Sequence, residues 1–90
     1  MHERLWEIYE QLCLVELAGL DEFVRRLKSG EFGEFPTDEV ISFLREIEAN
    51  MLQNIQVKTM EHQAYADLAD QVSEETQNMF DELIEEYKRP

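Results

Sequence analysis

The chain has 90 residues, 43% of them hydrophobic, and sets 21 Asp and Glu against 8 Lys and Arg for a formal charge of −13. That length allows one domain with a small core, expected over residues 1–90, and the hydrophobic content argues against general disorder. The charge opposes direct contact with nucleic acid or an anionic membrane, and no apolar run approaches the roughly 20 residues that span a bilayer.

Met1-His2-Glu3-Arg4 leads directly into an amphipathic pattern, so no secretory signal is expected. Cys13 is the single cysteine and cannot close an internal disulfide, which makes cytoplasmic residence the default expectation.

The first helix is expected over about 3–28. Trp6, Tyr9, Cys13, Leu17, Leu20, Val24 and Leu27 follow at alternating three- and four-residue steps, a heptad-like stripe that Leu5, Ile8, Leu12, Val15 and Phe23 widen. Glu3 and Glu7 at the start, with Arg25, Arg26 and Lys28 at the end, suit the helix dipole, and Gly30 is placed as a cap. Gly19 fits poorly in a helix interior and predicts a bend or a close approach there.

Glu31 to Pro36 reads as a short loop. Its Phe32 and Phe35 are expected to fold back on the end of the core, with anchoring of a partner as the second reading. From Thr37 to Arg89 there is neither Gly nor Pro. Thr37 looks like an N-cap with Asp38 and Glu39 in the first turn, opening a long second helix over about 38–88.

Val40, Leu44, Ile47, Met51 and Ile55 hold one face of it. The pattern then shifts, with Val57, Met60 and Ala64 on another side and Lys58 and His62 nearer the old one. A kink, a change of packing partner or a polar stretch at a partner interface is therefore expected within 53–63, with Ser73 marking a second candidate bend at 71–73. Tyr65, Leu68, Val72, Met79, Leu83 and Tyr87, flanked by Phe80 and Ile84, restore the stripe.

The expected fold class is all-α, a long helical hairpin. At about 1.5 Å per residue the second helix would run about 75–80 Å against about 39 Å for the first, leaving its far half uncovered. Either it folds back or a second chain covers it. The absence of Gly and Pro favours the second chain, as a homodimeric four-helix bundle. The candidate self- or partner-interface is then Leu68, Val72, Met79, Phe80, Leu83 and Tyr87, with Phe32 and Phe35.

No chemistry-bearing pattern stands out. Neither His2 nor His62 has a carboxylate three or four residues upstream, zinc-type cysteine sets are missing, and no glycine-rich phosphate loop occurs. Cys13 has no histidine near it in sequence, so nucleophilic catalysis is not indicated. No catalytic residue, cofactor or metal is expected.

The leading expectation is a non-enzymatic protein that binds another protein as adaptor, chaperone or regulator. The runner-up is an acidic inhibitor of a basic site, as a nucleic-acid mimic or immunity-type protein. A structural subunit of a larger assembly is the third.

Overall fold

The computed structural model describes residues 2–90. They form an all-helical chain: α1 (Glu3–Tyr9) running into a π-helical turn (Glu10–Val15), α2 (Leu20–Lys28), α3 (Thr37–Glu61), a short 3-10 turn (Gln63–Tyr65), and α4 (Ala66–Lys88).

The continuous first helix expected over 3–28 is interrupted. After Tyr9 the helix widens, so that the Glu16 amide reaches back to the Gln11 carbonyl at 3.0 Å. The Ala18 amide then bonds the Leu12 carbonyl at 2.8 Å, closing a turn one residue wider than the Schellman cap. Leu17 occupies the left-handed position at φ 59°, where glycine is the usual residue, and Gly19 is extended. The break lets two short helices share one core. Leu5, Ile8 and Leu12 are buried from the first segment, and Phe23, Val24 and Leu27 from α2. A straight helix of about 39 Å would have run past that core. The extra residue in the wide turn also rotates Leu14 and Val15 outward, and Leu17 stands off the core altogether.

α2 ends as its basic last turn and following glycine suggest. Gly30 sits at φ 81° and donates to the Leu27 carbonyl at 3.1 Å. Lys28 donates from Nζ to the Glu86 carbonyl at 2.8 Å, joining α2 to the C-terminal end of α4, where a cation is favoured by the dipole. α3 follows Pro36 directly. Thr37 is its first helical residue rather than its cap, and no side chain caps that end.

The long second helix does not run on to 88. It reverses inside the window where the apolar face shifts. Thr59 Oγ1 donates back to the Ile55 carbonyl at 2.9 Å near the end of α3, a bond that Thr76 also makes to Val72 within the unbroken α4, so it does not by itself end the helix. His62 then leaves the helical region (φ −138°, ψ 95°), and the 3-10 turn starts α4 in the opposite direction. An extended residue is open to any L-amino acid, so the reversal requires neither Gly nor Pro. The His62 and Tyr65 rings meet edge to face at 5.7 Å across the bend. The bend expected at 71–73 is absent, since α4 passes through Val72 and Ser73 unbroken.

α3 and α4 thus pack as an antiparallel hairpin. Arg45 Nη1 clamps it, 2.9 Å from Asp81 Oδ1 on α4 and 3.0 Å from Glu48 Oε1 on its own helix. The core lies at one end. Val40, Phe43, Leu44 and Ile47 of α3 meet Phe80, Leu83 and Ile84 of α4 and the two short helices. Phe43 is the hub of an edge-to-face aromatic cluster with Trp6 at 5.0 Å, Phe23 at 6.1 Å and Tyr9 at 6.2 Å.

Burial stops at Glu48 and resumes at Phe80. Everything between, residues 49–79, belongs to an arm that leaves the core. The radius of gyration, 14.4 Å, exceeds the about 12 Å of a compact chain this long, and the largest dimension is 44 Å.

Candidate interaction surface

The arm is two helices thick, with no third helix over its seam. Each side therefore buries only one flank of its apolar stripe. Met51, Ile55, Val72 and Thr76 are half-buried between the helices. Val57, Met60, Tyr65 and Leu68 remain exposed, Leu68 by 52% and Met60 by 84%. Near the tip the helices leave an open groove of about 450 Å³. α3 supplies Asn54, Ile55, Lys58 and Thr59 to it, the bend supplies His62 and Tyr65, and α4 supplies Leu68, Ala69 and Val72. The lining is mainly apolar and ends in polar groups on the α3 side.

Charge divides the arm lengthwise. Residues 51–65 carry Lys58 and Glu61, which cancel, whereas residues 66–79 carry Asp67, Asp70, Glu74 and Glu75 with no base. Lys58 is the only Lys or Arg between Arg45 and Lys88, and it lines the groove.

A second exposed apolar group lies at the break after α1. Leu14, Val15 and Leu17 are exposed by 63%, 68% and 82%. Glu10, Glu16, Asp21 and Glu22 flank them in sequence, and Glu16 shares a depression with Arg4 and Arg26.

The structure divides the eight candidate interface residues. Leu68 and Val72 lie together in the groove, and Met79 is exposed at the foot of the arm, where it borders a depression with Leu20 of α2. Phe80 and Leu83 are core residues. Tyr87 is half-buried against the core, and burial pushes its phenol up from the ordinary value. Phe32 and Phe35 are also half-buried on the core, with the Arg26 guanidinium 5.3 Å from the centre of the Phe32 ring.

The sequence marks 53–63, with Val57, Lys58 and Met60, only as a segment, and does not single out Tyr65, Leu14, Val15 or Leu17 as surface residues. For the arm residues the signal was the face shift after Ile55. For residues 14–17 it was the awkward Gly19, read as a bend without asking which stripe residues that bend would turn outward.

Elsewhere the surface offers little chemistry. The half-buried Cys13 thiol is pushed up by burial, which keeps it protonated and a poor nucleophile at neutral pH. His2 Nδ1 is 3.6 Å from Glu39 Oε1, too far for a hydrogen bond. Among the described residues, no three His, Cys, Asp or Glu side chains converge in a way that could hold a metal ion, and no helix is long and apolar enough to cross a membrane. Compared with family models, curated proteins and solved structures, the chain matches none.

Proposed function

We propose that this protein is non-enzymatic and acts by binding another protein chain through the α3–α4 arm. One observation carries the reading: the hairpin continues past its core with an apolar seam and not one buried residue over 49–79. Two helices in water cannot cover their own stripes, and apolar surface gathered along a groove and rimmed by polar residues is typical of a docking face.

The test is capture by the tagged chain, washed in low and high salt, beside a Leu68→Asp variant. A defined protein partner that survives high salt and is lost with the variant supports the reading. Equal capture by both forms, or none by either, overturns it.

The acidic-inhibitor reading draws on a different surface. Asp81, Glu82, Glu85 and Glu86 are exposed together near the end of α4. A basic partner bound there would leave at high salt, ignore Leu68→Asp, and be lost when Glu82 and Glu85 become Lys.

A further inference from the structure

We propose that the arm groove takes a short amphipathic helix of another protein, one that carries Lys or Arg along the flank laid on α4 and none along the flank laid on α3. This rests on the arm-docking reading and names the chemistry of its occupant.

Shape sets the first half of that description. The groove runs between Asn54 and His62 on α3 and between Tyr65 and Val72 on α4. At about 1.5 Å per residue it is a trough of about 12 Å, or two turns of helix. Ile55, Ala69 and Val72 form a half-buried floor, and Tyr65 and Leu68 stand exposed at its edge. An open apolar trough between two helices suits a third, anchored by side chains at i, i+3 or i+4, and i+7. A single helix seated this way buries less than the about 1,600 Å² of a standard interface. Its anchors and its charged flank, rather than area, therefore set its affinity.

Charge sets the second half. Asp67, Asp70, Glu74 and Glu75 of α4 are exposed, and none is paired with a cation among the described residues. Going round α4 from Val72 at about 100° per residue, Leu68 is met at about 40°, Glu75 at about 60°, and Asp67 and Glu74 at about 140–160°. The acids thus begin where the apolar edge ends. Glu75 accepts only from the Gln71 side-chain amide, at 3.3 Å. On the opposite wall the groove carries Lys58, which repels a base. The two walls together fix which flank of the occupant is basic. The apolar anchors hold it, and the flank selects it among other helices.

A second copy of this chain does not supply such a helix. Its basic cluster is engaged already, Arg25 with Glu22, Arg26 with Glu31, and Lys28 with the Glu86 carbonyl. A net charge of −13 also opposes a like chain while drawing a basic segment.

Fluorescence anisotropy of labelled peptides against the intact chain, at about 0.15 M salt, tests this. Two helical peptides of about 14 residues share leucines at i, i+3, i+7 and i+10; one carries lysines along a single flank and the other glutamates there. A helix can enter the groove in either direction, so the charged flank reaches α4 whichever side bears it. The lysine peptide is expected to bind at least tenfold more tightly than the glutamate peptide, and high salt to narrow that preference without abolishing binding. Leu68→Ser should weaken the lysine peptide at least fivefold. Asp67→Lys with Glu75→Lys should reverse the preference. Glu82→Lys with Glu85→Lys makes the same change in net charge at the far end of α4 and should leave the preference in place. Circular dichroism confirms that each variant keeps its helices.

A lysine peptide that does not bind at about 1 mM, or binds no better than the glutamate peptide, overturns the proposal. So does one that ignores Leu68→Ser or responds alike to both charge swaps, since its contact then lies elsewhere. Leu68-dependent capture of a protein, beside peptides that the arm does not distinguish, removes the basic helix and leaves the arm-docking function standing.

Discussion

Truncating Phe80 tests whether α4 folds back. Phe80 is fully buried, packed with Leu83 and Ile84 against α3 and the short helices. Replacing a buried Phe with Ala removes its transfer energy and leaves a cavity, at about 3–5 kcal/mol. A 90-residue domain has roughly 5–13 kcal/mol in total, so the variant should lose between a quarter and most of its stability. With about 4–8 °C of Tm per kcal/mol at this size, the midpoint should fall by at least about 12 °C. Leu68→Ala is the paired control. Leu68 lies on the same stripe of the same helix but is half exposed, so its loss should cost about 1 kcal/mol or less. Urea unfolding followed by helical dichroism and Trp6 fluorescence, at a few micromolar to limit self-association, reads both. If α4 instead continued α3 as one long rod awaiting a partner, Phe80 and Leu68 would share one exposed stripe. The two variants would then cost alike, and both costs would grow with protein concentration. Equal penalties would refute the hairpin.

Other consequences follow from single contacts. Leu17→Gly should stabilise the isolated chain by about 0.5–1 kcal/mol, because relief of about 1–2 kcal/mol of left-handed strain exceeds the entropy cost of a glycine; a fall in Tm at low concentration would contradict this. Arg45→Ala leaves the Glu48 carboxylate, 8% exposed, without its cation and should cost about 1–2 kcal/mol. Adding Glu48→Gln should return part of that loss in a double-mutant cycle. Burial raises Cys13 and Tyr87, and burial together with the nearby Cys13 thiolate raises Tyr9. Their contribution is complete below the ordinary values of 9.0 for the thiol and 10.0 for the phenols, and is lost as pH rises through the higher folded values. Stability should therefore be level with respect to these groups near pH 8 and decline above about 9, and Cys13→Ser should remove the earlier part of the decline. Net repulsion from −13 charges should make Tm rise with salt between about 0.01 and 0.15 M, as the screening length falls from about 30 to 8 Å.

Helix content and the core were legible because both are periodic. The steps from Val40 to Ile47 and the return at Leu83 mark faces whose burial needs only a neighbour, and all three residues are buried. What periodicity does not carry is direction. The stripe through Trp6, Tyr9 and Cys13 continues in register to Leu20 and Val24, so the sequence pattern shows no interruption where the chain makes one. The wide turn keeps Leu20 and Val24 useful by turning Leu14, Val15 and Leu17 out. At His62 the error came from treating Gly and Pro as the only means of reversal. A single extended residue, His62, and a 3-10 turn accomplish it with ordinary side chains.

The same two misreadings bear on the candidate surface. Once α4 folds back, Phe80 and Leu83 are satisfied inside one chain, so the deficit inferred from an overlong helix shrinks to the arm. Once the first helix breaks, a second deficit opens at 14–17. On helix length alone, the uncovered surface lies on the far half of the second helix and calls for a second chain. The geometry keeps the need for cover but divides it between a trough at one place and a protruding segment at another. An apolar groove without charged flanks would be silent about its occupant. The groove and the 14–17 segment are two separate apolar deficits of one chain, and substitution at Leu68 or at Leu17 tests each without touching the other.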